Sequence, residues 1–149
     1  MNRLFRLGPV LRARKAQEDA ARGAVIKSRA EIRDAQALVK RRQLDLIGSS
    51  APSEGSARAM VASLVARQSL AAGLSGAQRM VGDAEAVERE RLAVLADAAK
   101  RRRAVELMSE RHTEMLRAHD LRKDQAALDE LSMTSKARNA ARGIAGGSA

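Results

Sequence analysis

Few residues in this chain have side chains suited to catalysis or ligand binding, and their spacing argues against both. His112 and His119 are the only histidines. Seven residues on a helix separate them by roughly 10 Å, whereas a shared metal ion needs them four apart. Neither has a serine or carboxylate arrangement around it that would make a nucleophile or a general base. Gly73-Leu74-Ser75-Gly76 lacks the lysine and the preceding strand of a phosphate-binding loop. With no cysteine there is no disulfide framework, thiolate metal site or cysteine nucleophile. No enzyme, metal or cofactor is expected.

What remains is charge. Lys and Arg number 28 against 18 Asp and Glu, a net charge of +10, which favours acidic partners. Lys100-Arg101-Arg102-Arg103 is the densest basic run. It reads either as a contact for nucleic acid or an acidic protein groove, or as a solvated helix face. Nucleic acid is disfavoured, because the chain has a single aromatic residue, no base-stacking platform and no recognition motif. A second cluster, Arg3, Arg6, Arg12, Arg14 and Lys15, surrounds Leu4, Phe5 and Leu7. Phe5 suits an interface anchor and equally suits a cover for the end of a coiled coil.

The elements that carry these residues are helices. Leu4, Leu7, Leu11, Arg14, Glu18, Ala21, Val25, Ser28, Ile32, Ala35, Val39, Arg42 and Leu46 follow a strict three–four alternation. Six heptads of this pattern specify a left-handed coiled coil. Pro9 sits where a first helical turn tolerates proline, so helix 1 is expected at about 9–47. Residues 48–56, with two glycines, a proline and four serines, form the tip, and Pro52-Ser53-Glu54-Gly55 is a turn sequence. Helix 2 is expected at about 57–138, followed by a flexible tail at 139–149. Gly73, Gly76 and Gly82 weaken its first half and suggest close packing or a kink. In its second half Val105, Met108, His112, Met115 and His119 recur at helical spacing.

The fold class is therefore all-α: two long helices in an antiparallel coiled-coil hairpin, one unit over 1–138. A tip near Pro52 places Leu4 opposite about residue 100, so helix 2 overhangs helix 1. The overhang, from about Arg101 to Asn139, would expose Val105, Met108, Met115, Leu121, Leu128 and Leu131, and an exposed apolar stripe implies a partner. A turn at Gly73–Gly76 would instead equalise the arms. Charges interrupt every apolar run, so no membrane insertion is expected. Arg12, Arg14 and Lys15 cut short any signal-peptide core, which makes the cytoplasm the expected location. Apolar faces this narrow and alanine-rich do not favour a membrane-surface helix.

Both ends of the chain resemble the FliJ family of bacterial flagellar export. The opening Leu4-Phe5-Arg6-Leu7-Gly8-Pro9-Val10-Leu11-Arg12-Ala13-Arg14 is similar to the family's start. Lys100-Arg101-Arg102-Arg103-Ala104-Val105-Glu106, then Arg111, then Arg122 to Glu130 are similar to its C-terminal helix. The resemblance implies a cytoplasmic stalk, peripheral at the inner face of the membrane, for the hexameric export ATPase. Further contacts would be the export-gate membrane component and export chaperones. On that resemblance the ring-facing residues are Leu4, Phe5, Leu7, Arg14, Arg117, Arg122, Lys123 and Leu128. The gate-facing residues are Val39, Gln43, Leu46, Leu70 and Leu74, a surface that in this chain has no aromatic side chain. A coiled-coil scaffold, a nucleic-acid-associated protein, and the equivalent stalk of a virulence secretion system are the alternatives.

Overall fold

A computed structural model describes residues 7–50 and 54–145. It consists of two helices, α1 (Gly8–Gly48) and α2 (Ala57–Ala145), with no strand among the described residues. Pro9 stands in the first turn of α1, where its missing N–H costs nothing. At the far end the Ser49 hydroxyl donates to the Leu46 carbonyl at 2.8 Å and takes up one orphan acceptor of the last turn. Ser56 caps α2: its hydroxyl accepts from the Ala59 N–H at 3.3 Å. Pro52 and Ser53 of the expected turn lie outside the described residues.

The all-α hairpin is as the heptads require. α2 passes unbroken through Gly73, Gly76 and Gly82, which removes the alternative turn at Gly73–Gly76. It also runs through Asn139 and Gly143 to Ala145, seven residues past the expected end. Ala140, Ala141 and Arg142 are strong helix formers and outweigh the single glycine.

The chain falls into two units. Val10–Arg102 forms the hairpin, and the described residues of the other unit are 7–9 and 103–145. Within the hairpin, Glu18, Val25, Ser28, Ile32 and Ala35 are the buried residues of α1, all from the three–four set. Arg42 departs from it and is exposed. Facing them, α2 turns inward Leu70, Leu74, Ala77, Val81, Ala84, Glu88, Arg91, Leu95, Ala98 and Arg102, again alternating by three and four. Both helices thus keep the 3.5-residue period that holds one seam against the other.

Cross-helix bonds fix the direction and the register. Arg29 bonds Glu88, Arg91 bonds Ser28 and Arg102 bonds Glu18. The sequence separation grows from 59 to 63 to 84 residues, as only antiparallel helices allow. The register corrects one expectation. Pairing about a tip at Pro52 would set Glu18 near Ala86, but its partner is Arg102. The stretch near residue 100 therefore meets Glu18; Leu4, its expected partner, lies outside the described residues. Followed the other way, the same register brings Gly48 opposite about residue 71 at 1.5 Å per residue. The first turns of α2 consequently run past the end of α1 by about 20 Å. From 57 to 69 only Ser63 is half-buried and every other side chain is exposed.

Gly73 and Gly82 are not close-packing positions, because a Cβ there would meet nothing within 4 Å. Gly23 in α1 is equally open. Each carries the entropic cost of glycine in a helix with no compensating contact. Gly73→Ala, Gly82→Ala and Gly23→Ala should each stabilise the hairpin by about 0.5–1 kcal/mol, read as a higher urea midpoint with unchanged slope. A loss of stability at Gly73 or Gly82 would mean that α2 needs to bend there.

Candidate interaction surfaces

The hairpin seam is thin. Its buried apolar residues are Val25, Ile32, Ala35 and Ala77, and half-buried Ala21, Ala84 and Ala98 alternate with half-buried leucines and valines along the rest. Small side chains let the helices approach closely but bury little apolar area each. Polar residues occupy positions where a larger coiled coil would place leucine. Ser28, 1% exposed, accepts a 2.7 Å bond from Arg91 Nη1. The same nitrogen reaches the Ala24 carbonyl at 3.2 Å and Glu31 Oε2 at 3.4 Å. Arg91 therefore spans the seam and satisfies a backbone oxygen, a hydroxyl and a carboxylate.

One heptad and a half away, the buried Glu18 takes Arg102 Nε on one oxygen and Arg22 Nη2, at 3.2 Å, on the other. Burying a carboxylate is costly unless each oxygen is paired, and here both are. No buried side-chain nitrogen or oxygen among the described residues lacks a partner. Arg29 to Glu88 at 2.8 Å closes the same edge nearer the turn.

These bonds also resolve the densest basic run. Arg101 pairs with Asp97 at 2.8 Å, and Arg102 is committed to Glu18 in the seam. Arg103 lies 3.4 Å from Glu106 and from Glu110. Three of the four cations thus have carboxylate partners within the fold, which leaves a poor phosphate-binding strip. Among the described residues no group of three His, Cys, Asp or Glu is placed to hold a metal ion. His112 is half-buried, while His119 is exposed beside Asp120 at 3.7 Å.

The gate-facing candidates lie in the hairpin unit. Val39, Leu46, Leu70 and Leu74 are half-buried on the seam and Gln43 is exposed. Val39 also borders a shallow hollow shared with Gln36, Gln78 and Val81. Of the ring-facing candidates, Arg14 belongs to the hairpin unit and is half-buried. Leu7 is half-buried, and Leu4 and Phe5 lie outside the described residues.

In the second unit Arg117, Arg122, Lys123 and Leu128 are all exposed. Its half-buried positions on α2 are Val105, Glu106, Ser109, His112 and Leu116. That corrects the expected face of Val105, Met108, His112, Met115 and His119, because Met108, Met115 and His119 are exposed. Val105, Ser109, His112 and Leu116 alternate by four and three, and the methionines lie beside that row. The expected single apolar stripe is also absent. At 100° per residue, Met108 and Met115 share one side, whereas Leu121 and Leu128 fall about 120–160° around the helix from them. Arg117 shares the Leu121–Leu128 side and Arg122 lies nearer the methionine side. From 117 to 143 every described side chain is exposed, including Leu121 at 69% and Met133 at 71%.

An antiparallel coiled coil with paired polar residues in its seam and large apolar side chains around a bare helix defines a protein built for association. The chain belongs to the FliJ family: the family model described as "Flagellar FliJ protein" matches residues 2–141. It is accordingly a component of the flagellar export apparatus, in a family that is non-catalytic. No helix among the described residues is long and apolar enough to cross a membrane. No match to the chain is found among curated proteins or among solved structures.

The buried pair at Glu18 can be tested apart from any partner. Glu18→Ala removes the carboxylate that Arg102 reaches across the seam and should cost about 1.5–3 kcal/mol. Glu18→Leu with Arg102→Leu, which extends the apolar row, should unfold at an equal or higher urea concentration. If Glu18→Ala unfolds like the parent, the pair does not hold the seam.

Proposed function

We propose that the chain is the non-enzymatic stalk of flagellar type III export. In this reading it contacts the hexameric export ATPase and couples it to the export gate, from the cytoplasmic face of the cell membrane. One observation carries it: the bare C-terminal part of α2. Leu121, Leu128 and Leu131 share one side within about 80°, Met133 lies about 120–160° around from them, and all four are exposed. A groove or a second helix would cover only one side of such a segment. A ring of subunits that encircles it covers every side, and that is the environment the family resemblance supplies. Arg117, Arg122 and Lys123, interleaved with these residues, suit carboxylates on the inner surface of a ring.

A helix held on the axis presents different side chains to each of six equivalent subunits. It therefore favours them unequally, and that inequality can promote assembly and pass hydrolysis on to the gate. The seam residues Val39, Leu46, Leu70 and Leu74, with exposed Gln43, remain the gate-facing candidates in this reading. Export chaperones are further partners. Nucleic acid is disfavoured, since the basic run at 100–103 is largely paired.

The purified chain should bind the cognate export ATPase and raise its turnover. Phe5→Ala with Arg122→Glu should weaken that binding about tenfold or more, since it removes an aromatic anchor and reverses a charge. Unchanged turnover in this variant would count against the ring-facing assignment. No binding at moderate salt would sink the stalk, and steeply salt-dependent DNA binding would favour the nucleic-acid class.

A further inference from the structure

The register leaves the first turns of α2 beyond the end of α1, and their side chains are not those of a solvated helix. Met60, Val61, Leu64 and Val65 are 57–61% exposed. At 100° per residue they occupy a sector of about 140°. It points away from the row Ser63, Leu70, Leu74 and Ala77 that faces inward. Arg67 falls at one border of the sector and Arg58 at the other, each about 20° outside it. Between Glu54 and Asp83 the sequence holds no acidic residue at all.

We propose that this segment, residues 57–67, is an interfacial helix that rests on an anionic phospholipid surface. The apolar sector would enter the boundary between headgroups and acyl chains. The two flanking arginines would snorkel to the phosphates on either side. Three features favour a lipid occupant. The floor of the sector is apolar, the cations lie along both rims where headgroups would stand, and no carboxylate nearby repels a negative surface. The nearest acid on α1, Asp45, is 4.0 Å from Arg42. The segment lies on the bilayer and does not cross it. Sequence patterning disfavours a membrane-surface helix when all the apolar residues are taken as seam. The offset of the helices is what frees this sector. The inference rests on that register and not on the stalk reading.

The test is co-sedimentation of the full chain with phosphatidylcholine vesicles, with and without phosphatidylglycerol. A chain of +10 charge will adhere to anionic vesicles to some extent, so the discriminating variant keeps the charge. Val61→Ser with Leu64→Ser should lower partitioning to phosphatidylglycerol vesicles about tenfold or more, with helicity unchanged by circular dichroism. Arg58→Gln with Arg67→Gln should lower it by a similar factor. Arg138→Gln with Arg142→Gln, the same loss of charge elsewhere, should change it far less. Failure of the parent to bind anionic vesicles would overturn the proposal. So would undiminished binding of the Val61→Ser/Leu64→Ser variant, or an equal loss in the Arg138/Arg142 variant. Capture of an acidic protein by the segment without vesicle binding would overturn it as well.

Discussion

Charged side chains that cross the hairpin seam hold this fold in register. Alanine and serine make the seam narrow, and four buried apolar residues discriminate weakly between one heptad alignment and the next. Sliding α1 by seven residues would meet much the same pattern of small and apolar groups. It would not meet the same ions. Arg102 must find Glu18, Arg91 must find Ser28 and Ala24, and Arg29 must find Glu88. A slip breaks all three contacts at once and leaves the buried Glu18 carboxylate with only its own-helix partner Arg22, one oxygen short of a bond. Stability is spread over many small contacts, whereas alignment is concentrated in a few polar ones.

That division explains what the sequence makes legible. The heptad row of α1 is visible residue by residue, because the 3.5 period survives even where the residue is Glu18 or Ser28. The all-α class, the two helices and the family resemblance rest on the same kind of local signal. The register is not local. It depends on which arginine of α2 finds Glu18, and α2 offers several within two turns. Counting symmetrically from Pro52 therefore gives the wrong partner. The methionines mislead for a related reason: Met108 and Met115 are the large apolar residues of their turns, yet Ser109 and Leu116 are the half-buried ones. Size suggests one face and burial marks another.

Along α2, the hairpin part sets ions against α1, while residues 117–143 are bare on every side. Family membership makes the chain a component of the flagellar export apparatus. As a string of letters the basic run at 100–103 is a nucleic-acid signal, but in the fold its arginines are occupied by Asp97, Glu18, Glu106 and Glu110.

The connection between the helices has a consequence for how such a chain can change. From Gly48 to Ala57 it spans an axial offset of about 20 Å, although nine fully extended residue steps would reach about 30 Å. The register is set by side chains distant from this link. A residue or two could be lost or gained there without disturbing any seam contact, as loops of this kind tolerate. An insertion of one residue between the seam contacts of either helix would instead rotate one contact against the next by about 100° and part the arginines from their acids. The distance between the seam contacts is fixed by helix geometry alone.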